Sequence, residues 1–138
     1  MAEALILDAE ALNALARRKE RGVLADRARA ILEVALNQGA LVRVPAPVLA
    51  ELCRGPRFDA AIDQVLGARG IVVASLTEEI ARRAGHILAR AKLGSAHAVD
   101  AFVVATAAQY SAAVIATGDP GDLSRLASPF KHLRIFAI

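Results

Sequence analysis

AAVIATGDPGDLSRLA, residues 112–127, reads as a strand that runs straight into a helix. AAVIAT (112–117) is apolar and short enough for a buried strand. Gly118 then interrupts it. Asp119 followed by Pro120 is a pairing that opens helices: an acceptor side chain at the N-cap, then a residue whose fixed φ and missing N–H suit the first turn. Asp122 falls in that first turn, where the helix macrodipole favours a carboxylate. The same two aspartates can also be read as ligands for a metal ion, although this segment alone favours the cap. Residues elsewhere in the chain must decide between a cap and a metal site.

The strand grammar recurs outward from this segment at ALIL (4–7), ALVRV (40–44), GIVVA (70–74) and LRIFAI (133–138), so five strands are expected. Helical patterns separate them. Over residues 22–37, Leu24, Ala28, Ile31 and Ala35 fall on one face while Asp26, Arg27, Arg29 and Glu33 turn away. Thr77 is placed to cap a helix that aligns Ile80, Ala84, Ile87, Leu88 and Ala91. Two short helices are expected between the second and third strands, broken at Gly55 and Pro56. AHAVDAFVVATAAQY (96–110) is apolar nearly all round, as a buried helix is. Strands alternating with helices predict an α/β fold: a five-stranded parallel sheet flanked by helices on both faces, as one domain over residues 1–138.

Composition is consistent with this. A chain of 138 residues can bury a full core without disulfides or a structural metal. Hydrophobic residues make up 56% and aromatics 4%, so the core is expected from Ala, Leu, Val and Ile, with Phe58, Phe102, Phe130 and Phe136 as large fillers. The lone cysteine, Cys53, excludes an intrachain disulfide, argues against a thiolate zinc site and suits a reducing cytoplasm. No apolar run is long enough to span a bilayer, and MAEALILDAE carries acids where a signal peptide has a basic leader. The chain is therefore expected to be cytoplasmic and free of the membrane. A formal charge of +3 favours approach of a polyanion only mildly.

Four acids stand alone in apolar segments: Asp8 after ALIL, Glu51 in VPAPVLAEL, Asp100 in HAVDAFVV and Asp119 after AAVIATG. A lone carboxylate in a low-dielectric interior must be paired, bound to a metal or neutralised. No matching set of lysines or arginines lies in those segments. Asp8 and Asp119 follow the first and fourth strands, at the sheet edge where open α/β folds place ligands. If Glu51 and Asp100 lean over the same edge, the four acids select a hard cation, Mg²⁺ or Mn²⁺, and phosphodiester chemistry follows. Each also has a structural reading: Asp8 as a cap, Asp100 as a first-turn acid, Glu51 as a partner of Arg54 or Arg57.

LILDAEAL, VPAPVLAELCRG, HAVDAFVVATA and ATGDPGDLSRLA, in that order, resemble the PIN-domain family, and within it the VapC-type ribonuclease toxins of bacterial toxin–antitoxin pairs. The resemblance implies a PIN-like three-layer sandwich and Mg²⁺- or Mn²⁺-dependent RNA cleavage. It also implies a homodimer and a small VapB-like antitoxin whose C-terminal segment covers the active groove. It assigns metal and catalytic positions to Asp8, Glu51, Asp100 and Asp119, a further acid to Asp122, and a hydroxyl position to Thr117. The chain departs from the pattern at Glu10, where many relatives carry Ser or Asn, leaving open whether that residue adds charge to the site or faces solvent.

Arg17, Arg18, Lys19 and Arg21 follow the first helix and Arg82, Arg83, Arg90 and Lys92 decorate another. Arg17, Arg18, Arg83 and Arg90 are the candidates for RNA phosphate contacts, against the alternative of solvated helix faces. His86, His97 and His132 show no metal spacing, and His97 reads as a packed or capping residue. Two other functions compete. A haloacid-dehalogenase-like phosphohydrolase would use Asp8 as nucleophile, but the aspartate expected two residues later is Glu10. A non-catalytic antitoxin-binding module would have no use for four such acids.

Overall fold

The structure, a computed structural model, describes residues 2–138. In chain order its elements are β1 (Ala4–Leu7), α1 (Ala9–Ala16), α2 (Arg18–Arg21), α3 (Val23–Asn37), β2 (Leu41–Pro45), α4 (Ala46–Leu52), α5 (Pro56–Leu66), β3 (Ile71–Ala74), α6 (Glu78–Ala91), α7 (Ala98–Ala108), β4 (Ala113–Thr117), α8 (Pro120–Ala127) and β5 (Leu133–Ala137). A 3-10 turn at Ser95–His97 leads into α7.

The five expected strands form where the apolar runs placed them, and all pair in parallel in the order β3-β2-β1-β4-β5. The central strand is buried on both faces, with Leu5, Ile6 and Leu7 fully inaccessible, which is why ALIL shows no polar alternation. Helices α1, α3 and α5 pack together on one side and α6, α7 and α8 on the other, as right-handed crossovers in a sheet of this order require.

Local chemistry sets the helix ends. The Thr77 hydroxyl accepts the Ile80 N–H at 3.2 Å and starts α6, whose Ile80, Ala84 and Ile87 are buried as their spacing predicts. Helix α7 is buried almost all round, and the hydroxyl of its Thr106 is satisfied by the Phe102 carbonyl at 2.7 Å. One expected core residue is not in the core. Phe58 is 48% exposed, with the Arg17 guanidinium 5.8 Å from its ring centre.

The strand order also locates the ligand edge. From β1 the chain steps to β2 on one side, while β4 lies against β1 on the other, so a crevice opens between the carboxyl ends of β1 and β4.

Candidate functional site

β1 ends at Leu7, beside Ala116 of β4, so Asp8 and the Gly118–Asp119 turn emerge together into that crevice. Helix α4 brings Glu51 from its last turn, and α7 brings Asp100 from its first. Asp8, Glu51, Asp100, Asp119 and also Glu10 line one cleft of about 520 Å³, whose lining, among the described residues, contains no lysine or arginine.

Asp8 is the buried member, 5% exposed. Its carboxylate caps α1, accepting the Ala11 N–H at 2.9 Å. Burial pushes its pKa up to about 6. The Thr117 hydroxyl and the Ala11 N–H stabilise the charged form, while the charges of Asp100 and Glu10 add to the upward push. Asp100 is half-buried and is also raised, first by burial and then by Glu51, Asp119 and Asp122, with His97 opposing.

Asp119 occupies the N-cap position of α8, but its side chain makes no capping bond, which overturns the reading of this aspartate as a cap. Its backbone lies at φ −129°, ψ 81°, whereas Asp8 has the extended ψ of −176° that aims a side chain at the helix's free N–H groups. Asp8 is therefore the aspartate that caps a helix while lining the cleft. Thr117, fully buried at the end of β4, connects the two: its Oγ1 accepts the Asp119 N–H at 2.9 Å, and its hydroxyl supports the charge on Asp8.

Glu51 and Asp119 are exposed and keep their hydration, so the desolvation cost expected of four lone acids falls on Asp8 and in part on Asp100. Glu51 has no ion pair among the described residues. The Arg54 guanidinium, one of its expected partners, instead donates to the carbonyls of Ala50 and Cys53 at 2.9 and 2.7 Å. Glu10 lies at the cleft wall, 3.7 Å from the Arg21 guanidinium. Its Cβ packs so close to Gly118 that a Cβ there would stand 2.8 Å away.

Two residues form an outer extension of the cluster. Asp122, in the first turn of α8, places Oδ2 3.6 Å from His97 Nδ1, and these two with Asp100 can each offer one ligand atom within 4.8 Å of the others. His97 stands at the N-cap position of α7 but its side chain makes no capping bond, contrary to the reading as a capping residue. The spacing HAVD, which sets His97 and Asp100 three apart at a helix start, was the local signal for the pair.

The basic candidates lie outside the acid cleft. Arg17 and Arg18 line a larger groove of about 820 Å³ between the α1–α2 corner, α3 and α5. Arg17 there sits 3.6 Å from Glu20. Arg90 borders a small crevice with Arg125, and Arg83 is half-buried on α6.

A comparison with curated proteins returns no match. Among solved structures, the chain is similar to one in the crystal structure of VapBC2 from Rickettsia felis bound to a DNA fragment from their promoter. The TM-score is 0.67 at 13% identity, covering 98% of each chain. That likeness is one of fold. The family model described as PIN domain matches residues 5–129. This match runs through all five carboxylates of the cleft and ends just before β5, and the chain belongs to the PIN-domain family.

Proposed function

We propose that the protein is a metal-dependent endoribonuclease toxin of a toxin–antitoxin pair, hydrolysing RNA phosphodiester bonds in the acid cleft. PIN domains are generally nucleases. The observation that carries the reading is the convergence of Asp8, Glu51, Asp100 and Asp119 on one cleft without a basic residue in its lining. Such a donor set is all hard oxygen, which fits Mg²⁺ or Mn²⁺ and repels itself without them. A cation held there supplies charge neutralisation for a phosphodiester and activation of water.

The chain's own residues have separable parts in this reading. Asp8, Asp100 and Asp119 are the metal ligands, with Asp122 a further acid on the outer side. Glu51, exposed and without an ion pair among the described residues, holds the cation or takes the proton of the attacking water. Thr117 acts through Asp8 and Asp119 by fixing both. Arg83 and Arg90, outside the cleft, are assigned to phosphates flanking the cut.

The experiment is cleavage of total RNA by purified protein in Mg²⁺ or Mn²⁺. Asp100→Asn is expected to bring the rate to background, and Glu51→Gln to lower it by roughly 10²- to 10⁴-fold, the range for loss of a general base. Circular dichroism of both variants should match the parent. Undiminished metal-dependent cleavage by Asp100→Asn would show that the site is elsewhere.

RNA as the substrate and a small antitoxin as the partner follow the resemblance to VapC-type toxins, and the shared fold with a chain of VapBC2 supports it. The 820 Å³ groove suits the partner. Its floor includes Leu15, Leu32, Phe58 and Val65, and its rim carries Arg17, Arg18, Lys19, Arg29 and Arg57 against Glu20 alone. An amphipathic antitoxin segment with acidic flanks complements both. Arg17 and Arg18 are thereby reassigned from RNA to the antitoxin. Arg18→Glu with Arg57→Glu is expected to weaken antitoxin binding by about 10- to 100-fold, chiefly through slower, less salt-sensitive association, with cleavage by the free toxin unchanged. Calorimetric titration of the pair checks this, and equal affinity for parent and variant would remove the groove from the interface. The assembly we propose is a cytoplasmic homodimer. Among the described residues no helix is long and apolar enough to cross a membrane.

A further inference from the structure

The four-acid cleft offers only oxygen, whereas its outer edge offers nitrogen as well. His97 and Asp100 are brought onto one side of the α7 start by their spacing of three, and α8 delivers Asp122 opposite them. Their ligand atoms lie within 4.8 Å of one another, so a small side-chain adjustment brings all three inside the roughly 4.4 Å that bonds of about 2.0–2.2 Å to a common ion allow. The His97 Nδ1 to Asp122 Oδ2 separation of 3.6 Å is longer than a hydrogen bond, so the two groups face each other without closing on one another. Neither side chain has a hydrogen-bond partner among the described residues. His97 is 30% exposed in its side chain and Asp122 44%, so an ion can enter from solvent.

We propose that His97, Asp100 and Asp122 form a mixed nitrogen–oxygen site that takes a transition-metal dication such as Mn²⁺ in preference to Mg²⁺. Imidazole is a good ligand for first-row transition metals and a poor one for Mg²⁺, which keeps to oxygen and to its own water. A histidine and a carboxylate three apart on a helix, met by a carboxylate from a second helix, is an arrangement that holds such ions in other folds. The site shares Asp100, and at its outer side Asp122, with the proposed metal cleft, and rests on the proposed function only through these two residues. It gives His97 a selectivity role: it distinguishes the metals the protein accepts.

The test is pulsed electron paramagnetic resonance of Mn²⁺ added to the metal-free full chain. A directly bound imidazole imposes a strong ¹⁴N coupling on the Mn²⁺ signal. That coupling is expected in the parent and in a variant carrying both His86→Gln and His132→Gln, and is expected to vanish in His97→Gln. The apparent Mn²⁺ affinity of His97→Gln should fall about tenfold or more, the loss of one good ligand from a small set, with the response to Mg²⁺ unchanged. No bound Mn²⁺, bound Mn²⁺ without the coupling, or a coupling that survives His97→Gln overturns the inference. The two readings fail separately. Mn²⁺ held without nitrogen and lost in Asp8→Asn sinks the mixed site and leaves the acid cleft standing. A His97-dependent coupling in a protein that cleaves no RNA does the reverse.

Discussion

Asp8→Asn is expected to make the metal-free protein more stable at pH 7 while abolishing the proposed cleavage of RNA. Burial raises the Asp8 carboxyl from an ordinary 3.8 to about 6, so the folded protein holds that proton more tightly than the unfolded chain does. The sign follows from linkage: where the folded state binds more protons, stability falls as pH rises. The loss therefore accumulates between about pH 4 and pH 6 and is complete at neutrality, where ionised Asp8 costs roughly 3 kcal/mol. Asparagine carries no charge to desolvate and keeps an oxygen for the Ala11 N–H, so the cap of α1 survives. For a chain of this length the gain corresponds to about 10 °C in Tm.

Two controls separate this from a general effect of the substitution. At pH 4 Asp8 is largely protonated in the folded protein, and the advantage of Asn should shrink towards zero. Added Mn²⁺ should reverse the order at pH 7, because the parent gains by ligand linkage what the variant has lost the means to bind. Melting curves at pH 4 and 7, with and without Mn²⁺, read all of this. A difference between parent and Asp8→Asn that does not change with pH would show that the desolvated charge is not its cause.

The strands were legible because burial on both faces writes them as short, unbroken apolar runs, and ALIL and AAVIAT met their ends within a residue. That Asp8 and Asp119 share a crevice was legible only through a rule about sheets, since local sequence carries no strand order. The cap reading holds for Asp8 and fails for Asp119. Asp-Pro at 119–120 is the stronger capping signal, yet Asp8 does the capping, because a ψ of 81° at Asp119 turns its carboxylate from the helix. That His97 faces Asp122 was not legible, because the two stand at the starts of different helices far apart in the chain. Phe58 was assigned to the core by its size, whereas it walls the basic-rimmed groove beneath Arg17. Helix periodicity says which residues share a face but not whether the face ends at a core or at a groove.

Gly118→Ala is expected to damage both stability and cleavage, for a reason invisible in the sequence. A Cβ at 118 would stand 2.8 Å from the Cβ and 3.1 Å from the Cγ of Glu10. The first of these atoms is fixed to the backbone of α1 and cannot swing aside, so α1 and the end of β4 must part. Overpacking of this kind costs about 1–3 kcal/mol. The same displacement opens the distance between Asp8, at the head of α1, and Asp119, and a misplacement of about 1 Å at a reacting centre can cost 10²-fold in rate. Glu10 supplies the discriminating partner. Glu10→Gly removes the opposing Cβ at a cost of roughly 1 kcal/mol in helix propensity, and in the double variant Gly118→Ala should then be nearly harmless, a coupling of opposite sign to the single losses. Glu10→Ala removes the Cγ and the carboxylate but keeps the Cβ, the nearest contact, so its rescue should fall well short of that by Glu10→Gly. Additive losses in melting temperature for Gly118→Ala with Glu10→Gly, or equal rescue by Glu10→Ala, would rule out the Cβ contact as the cause and leave the outer part of the Glu10 side chain as what matters at that wall of the cleft.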